Sequence, residues 1–153
     1  MRLLRSFAKA LVGVGLLLRE PNARIHVAAT LTVVGAGCLL HLGALQWAVI
    51  ATNIGLVLVL ETLNTALEGY VDLAAPGRHE MAARAKDAAA GAVLIASVLA
   101  VVVAGLIFLP RLDELRVAFG AVWSADPAGV VAYLAVAAAF LVAGVVWRGK
   151  WPA

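Results

Sequence analysis

Long apolar blocks fill most of this 153-residue chain, and the polar positions between them mark where each block ends. Four blocks, at about 25–42, 47–71, 85–109 and 130–147, approach the ~20 residues an α-helix needs to cross a bilayer core of about 30 Å. A short turn around residues 41–46 ends the first, and Pro110 is expected to stop the third. Asp126-Pro127 reads as the cap and first-turn pair of the fourth. Ahead of these blocks, Phe7, Leu11, Val14 and Leu18 recur at helical spacing, interrupted by Arg2, Arg5, Lys9 and Arg19. That pattern predicts an interfacial amphipathic helix over 1–20 in preference to a signal peptide, whose apolar segment would be unbroken and followed by a small-residue cleavage site.

The connection over 72–84 reads as a polar loop. That over 110–127 reads as a surface segment in which Leu112, Leu115 and Phe119 form an interfacial turn of helix. Ala88, Ala92, Ala96, Ala100 and Ala104 repeat every four residues in the third block, as do Ala135, Ala139 and Ala143 in the fourth. Small residues at this spacing let helix backbones approach closely in lipid. These stripes carry packing and no chemistry.

Composition agrees with the pattern. The chain is 64% hydrophobic and 14% charged, with mean hydropathy +1.01, whereas a soluble domain carries roughly a quarter charged residues. The fold class is therefore an all-α integral membrane protein. Cys38 is the only cysteine and can form no intrachain disulfide, so it reads as a small packing residue. The net charge of +3 matters by position. Arg2, Arg5, Lys9, Arg19 and Arg24 face Glu20 alone in the first stretch, Arg78, Arg84 and Lys86 follow in 72–87, and Arg148 and Lys150 close the chain. Residues 41–47 hold no Lys or Arg, and 110–127 hold only Arg111 and Arg116. Basic residues thus fall on alternate connections, which the positive-inside rule assigns to the cytoplasmic side together with both termini. The charge describes topology and implies no nucleic-acid partner.

One block departs from the alanine, valine and leucine of the others. Glu61, Asn64, Glu68 and Asp72 lie in or at the end of the second. At about 100° per residue the last three sit roughly −60°, −20° and +20° from Glu61, one stripe about 80° wide. If Asp72 marks the cytoplasmic boundary, Glu61 lies about 16 Å deeper, near the middle of the bilayer. A carboxylate there costs several kcal/mol unless it is protonated, paired or reached by water. Neutral acids bonded between helices would satisfy one such residue; a whole stripe points to a polar cleft opening to the cytoplasm. Glu20 at the entrance of the first span and Lys86-Asp87 at the start of the third can complete it. Carboxylates, an amide and a lysine suit a Mg²⁺–polyphosphate site, because Mg²⁺ takes one or two carboxylates and leaves the rest to phosphate and water. Depth assigns Glu20, Glu68, Lys86 and Asp87 to metal and nucleotide, and Glu61 to an alcohol arriving from the bilayer.

Gly144 to Lys150 imitates the start of a phosphate-binding loop, but Trp151 replaces the Ser or Thr and no strand precedes it. Arg148 and Lys150, with Trp147 and Trp151, instead read as interfacial anchors. His26 and His41 read as interfacial or packing residues, and His79 as a loop residue. A proton-coupled transporter would use Glu61 and Glu68 as relays but leaves Glu20, Lys86 and Asp87 idle. An assembly subunit would explain the alanine stripes but not the acids.

Three segments resemble the prokaryotic diacylglycerol kinase and undecaprenol kinase family: Glu20-Pro21-Asn22-Ala23-Arg24-Ile25-His26, Glu61-Thr62-Leu63-Asn64-Thr65-Ala66-Leu67-Glu68 with Asp72, and Ala85-Lys86-Asp87 with the Ala-Ala-Ala-Gly run through Ala90. The resemblance covers roughly 1–110. It implies a bacterial inner-membrane lipid kinase using ATP and Mg²⁺, a homotrimer with a surface helix, three spans per chain and active sites shared between subunits. It matches Glu61 to the catalytic base, Glu20 and Glu68 to metal and nucleotide carboxylates, and Asn64, Asp72, His79, Lys86 and Asp87 to nucleotide contacts. Glu61, Arg24 and Ala90 fall at lipid-substrate positions. Gly77 stands where some relatives are acidic, and Ala90 where diacylglycerol-specific relatives carry Ser. The Ala-Ala-Gly-Ala run and Arg24-Ile25-His26 are closer to the undecaprenol kinase branch. The expected organisation is a kinase core over 1–110, an outer connection over 111–129, and an additional membrane helix with a short tail over 130–153.

Overall fold

The computed structural model describes residues 2–77 and 79–146. The anchors expected at Trp147, Arg148, Lys150 and Trp151, and the basic loop residue Arg78, lie outside the described residues. Six α-helices follow in order: α1 (Arg2–Leu17), α2 (Pro21–Leu39), α3 (Ala44–Ala74), α4 (Glu80–Phe108), α5 (Leu112–Ala125) and α6 (Pro127–Val146). Among the described residues there is no strand.

α1 is the expected amphipathic helix, leaving Phe7, Leu11 and Val14 exposed. In a surface helix those side chains face the acyl region. Pro21 starts α2 four residues before the apolar block begins, because a proline at the first helical position needs no N–H partner and has its φ already set. Three helical stretches are long and apolar enough to cross a membrane: α3, the run from α4 through α5, and α6. α2, expected as the first span, falls short of their apolarity because Asn22, Arg24 and His26 occupy its first two turns.

The turn from α2 to α3 is a Schellman motif. The N–H of Leu42 donates to the Gly37 carbonyl at 3.1 Å and that of His41 to Cys38 at 3.1 Å. His41 takes the left-handed position usual for glycine, with φ 47°. A Cβ at Gly37 would sit 2.8 Å from the Trp47 ring, so the turn also needs glycine there. Around it Leu40, Leu42 and Ile50 are buried, with Trp47, Ile107, Phe108 and Leu115 packed against them. An apolar knot thus ties α2, α3, α4 and α5 together at one end of the molecule.

α4 ends at Phe108, where Pro110 was expected to stop it, but the chain does not leave helical geometry for long. The chain passes through a 3₁₀ turn at Leu109–Arg111 and continues as α5, a helix of 14 residues where a single turn was expected. Proline is tolerated in a first turn, and Asp113 and Glu114 complement the positive end of the new helix. Arg111 bonds Glu114 at 2.7 Å and donates to the Leu40 carbonyl at 3.1 Å, which pins the junction to the end of α2. Asp126 caps α6 by accepting the Gly129 N–H at 2.9 Å, the expected cap and proline pair.

The most extensive helix contacts are α3 on α4 and α2 on α6. α3 has 31 residues, about 46 Å at 1.5 Å per residue, well beyond a core of about 30 Å. If the Gly43–Ala44 cap lies at the boundary beside the apolar knot, Glu61 is about 26 Å below it, close to the opposite boundary and not at mid-depth. With the boundary placed there, the overshoot of α3 would carry Glu68 and Asp72 out of the hydrocarbon.

Candidate active site

The acidic stripe grades from buried to open. Glu61 is 3% exposed and Asn64 9%, Glu68 is half-buried and Asp72 exposed. This is the profile of a cleft closed at Glu61 and open at the end of α3. The backbone around it is regular helix, with Thr65 Oγ1 donating to the Glu61 carbonyl at 3.0 Å.

Asn64 Nδ2 donates to Glu68 Oε1 at 2.9 Å, one turn along the stripe. A carboxylate can only accept, so the amide nitrogen must face it and Oδ1 must point the other way. Among the described residues Asn64 Oδ1 is buried there without a partner, which costs about 1–3 kcal/mol. An orphaned oxygen beside two glutamates is a donor set for a hard cation or for an N–H or O–H group of a ligand.

Glu20 joins the site from the elbow between α1 and α2. It is the residue before α2, in extended conformation, and its side chain does not cap its own helix. Glu20 and Glu68 both lie close enough to Glu61 to act on it electrostatically. Among the described residues no three His, Cys, Asp or Glu side chains converge tightly enough to hold a metal ion by themselves. Two carboxylates flanking an orphaned amide oxygen nevertheless fit Mg²⁺, which usually keeps several ligands for phosphate and water.

α4 supplies the basic side. Lys86 Nζ forms an ion pair with Asp72 Oδ1. That tie sets the antiparallel register, placing Ala90 level with Glu68 and Ser97 level with Glu61, since both helices rise 1.5 Å per residue. The buried positions on α4, Val93 and Ala96, fall at the same depth. The His79 and Asp87 side chains are exposed and, among the described residues, make no ion pair or hydrogen bond with the stripe. Arg84 is bound to Glu80 at 2.6 Å, on the exposed start of α4. Arg24 is turned to backbone carbonyls of the elbow and of α6, an engagement that no periodicity signals. A separate apolar cavity of about 1010 Å³ between α2, α5 and α6 includes none of the stripe.

The sequence model of the family described as prokaryotic diacylglycerol kinase matches residues 8–108. The chain is 48% identical over 117 residues to a diacylglycerol kinase of Synechocystis sp. (strain ATCC 27184 / PCC 6803 / Kazusa), which covers 75% of this chain and 67% of that one. It is 42% identical over 112 residues to the undecaprenol kinase of Bacillus subtilis (strain 168), covering 72% and 91%. It is 35% identical over 85 residues to the diacylglycerol kinase of Escherichia coli (strain K12), covering 56% and 70%. No solved structure matches the chain.

Proposed function

The chain belongs to the prokaryotic diacylglycerol kinase family and is a multi-pass membrane lipid kinase with ATP as phosphoryl donor; we propose that it phosphorylates undecaprenol at a site built around Glu61. The observation that carries this reading is the graded stripe on α3, with Glu61 buried where a lipid hydroxyl can reach it and Glu68 and Asp72 opening to water. The Glu61 carboxylate takes the proton of the lipid hydroxyl. The oxygen forms a bond to the γ-phosphorus, the bond from that phosphorus to the bridging oxygen breaks, and ADP leaves with the electron pair. Glu20 and Glu68 are the residues that would hold Mg²⁺, with Asn64 orienting Glu68. When bound, the ion offsets charge on the triphosphate. Lys86 adds a fixed positive charge at the open end, and Asp72 holds it there. Asp87 and His79 contact nucleotide, and since they stand apart from the stripe of their own chain, they serve the site of a neighbour in a homotrimer. The site faces the cytoplasm of a bacterial inner membrane, in line with the arginines and lysines of α1 and of the α3–α4 connection.

Ala90 supports the polyprenol. Level with Glu68, it offers a methyl group where a serine would offer a hydroxyl to the ester carbonyls of diacylglycerol, and an isoprenoid alcohol has no second polar group to satisfy. The second reading, diacylglycerol, is favoured by the 48% identity to a protein named for that activity. A competition assay separates them. Purified protein given ATP, Mg²⁺ and equal undecaprenol and diacylglycerol should label undecaprenol at least about tenfold faster, a difference of about 1.4 kcal/mol in transition-state binding. Equal or reversed labelling overturns the polyprenol assignment and leaves the kinase intact.

A further inference from the structure

α6 lies outside the stretch matched by the family, 8–108, yet it is docked along α2, the helix that begins at Glu20. The docking is close at both ends. Near the middle of α6, Tyr133 donates its hydroxyl to the Leu31 carbonyl, and a Cβ at Gly35 would meet the Tyr133 ring at 2.9 Å. Toward the other end, a Cβ at Gly144 would lie 2.8 Å from the Pro21 carbonyl oxygen and 2.7 Å from Ile25 Cγ1. The two backbones therefore touch at the first turn of α2, immediately after Glu20.

Arg24 turns that contact into a clamp. Its Nε donates to the Leu18 carbonyl at 2.9 Å, Nη2 to Arg19 at 3.0 Å, and Nη1 across to Ala143 of α6 at 3.1 Å. One planar guanidinium thus binds the two residues that lead into Glu20 and the helix that lies against them. A guanidinium presents its donors in a fixed fork, so three carbonyls held by it are held relative to one another. The elbow itself is tight, with the N–H of Glu20 donating to Leu17 at 2.9 Å and that of Arg19 to Leu16 at 3.0 Å.

We propose that α6, acting through Arg24, fixes the elbow on which Glu20 sits, which makes Arg24 a positioning residue and α6 a determinant of nucleotide affinity. The proposal rests on reading Glu20 as a metal and nucleotide carboxylate. It reassigns Arg24 from the lipid-binding role that the family resemblance implies, because its donors are directed to the elbow and to α6.

Gly144→Leu tests it in the full chain, by forcing the end of α6 away from Pro21. The reporter is a nitroxide on Leu18→Cys in a Cys38→Ala background, read alongside KM for ATP at saturating Mg²⁺ and KM for lipid. The expected result is a more mobile label and a KM for ATP raised about tenfold, the size of effect that groups supporting metal ligands produce. KM for lipid should stay within about twofold. Arg24→Lys, which keeps the charge and loses the fork, should give the same signature and serves if Gly144→Leu does not assemble. A label as immobile in these variants as in the parent overturns the clamp, whatever Glu20 does. Glu20→Gln separates the two claims: an unchanged KM for ATP there overturns the role of Glu20. A KM raised in Glu20→Gln but unmoved in Gly144→Leu with a loosened elbow overturns the coupling.

Discussion

At the scale of single residues, Asn64 illustrates how a site can weaken the fold that holds it. Its amide nitrogen steers Glu68, and its oxygen is buried unpaired. Replacing both polar ends by an apolar side chain of similar size removes the desolvation penalty along with the function. Asn64→Leu should therefore raise the thermal midpoint in detergent while raising KM for ATP by about 10–100-fold, the range for loss of a group that orients a metal ligand. A midpoint that falls by several degrees would mean that the amide serves the fold. The stripe of Glu61, Asn64, Glu68 and Asp72 was legible in sequence because helical periodicity alone aligns side chains on one element. The burial of Glu61 was not, because it depends on which helices pack around it. The contacts of Arg24 were not legible either: it donates to backbone carbonyls of the elbow and to one 119 residues away in α6, and no pattern of residue types reports where a carbonyl points.

At the scale of elements, helices and their caps follow local rules closely. Pro21, the Asp126-Pro127 pair and the amphipathic α1 are where periodicity and capping chemistry put them. Pro110 likewise ends α4 at Phe108, and the unexpected part is the 14-residue α5 beyond it, whose start Arg111 holds to Leu40 and Glu114. The α2–α3 turn shows strain that the sequence does not advertise, since His41 occupies a left-handed position at φ 47°. For an L-residue that conformation costs roughly 1–2 kcal/mol, which glycine avoids. His41→Gly should raise the thermal midpoint by a few degrees with kcat unchanged, as the turn sits at the end of the molecule opposite Glu61. His41→Val, with a branched Cβ, should lower it. A His41→Gly protein less stable than the parent would show that the imidazole makes a contact worth more than the strain.

At the scale of the whole molecule, two helix pairs carry different parts of the work. α3 and α4 form the antiparallel hairpin that bears Glu61, Asn64, Glu68 and Lys86, registered by the Asp72–Lys86 pair. α2 and α6 form the pair that presents Glu20. The alanine stripes announced close helix packing, but small residues fit many neighbours equally well, so the choice of α2 as the partner of α6 appears only in three dimensions. Within one chain Glu20 and Glu68 lie near Glu61, whereas Asp87 is exposed on α4. If the chain assembles as the homotrimer proposed above, mixed trimers should reflect this. Equal amounts of inactive Glu61→Gln and Asp87→Asn subunits, mixed at random, should regain about a quarter of parental activity if Asp87 serves a neighbour, as expected for a cyclic assembly. Glu61→Gln mixed with Glu20→Gln should regain none. The opposite result would place Glu20, and not Asp87, across the subunit boundary.

Under this mechanism Glu61 removes the proton from the lipid hydroxyl, and single-turnover transfer by Glu61→Gln isolates that step. Glutamine keeps the shape and burial of the side chain but cannot accept the proton. Transfer of the γ-phosphate from labelled ATP to lipid should fall by about 10²–10⁴-fold, with ATP binding and the folded oligomer retained. Turnover within about tenfold of the parent would contradict the account and move the base to another residue of the cleft.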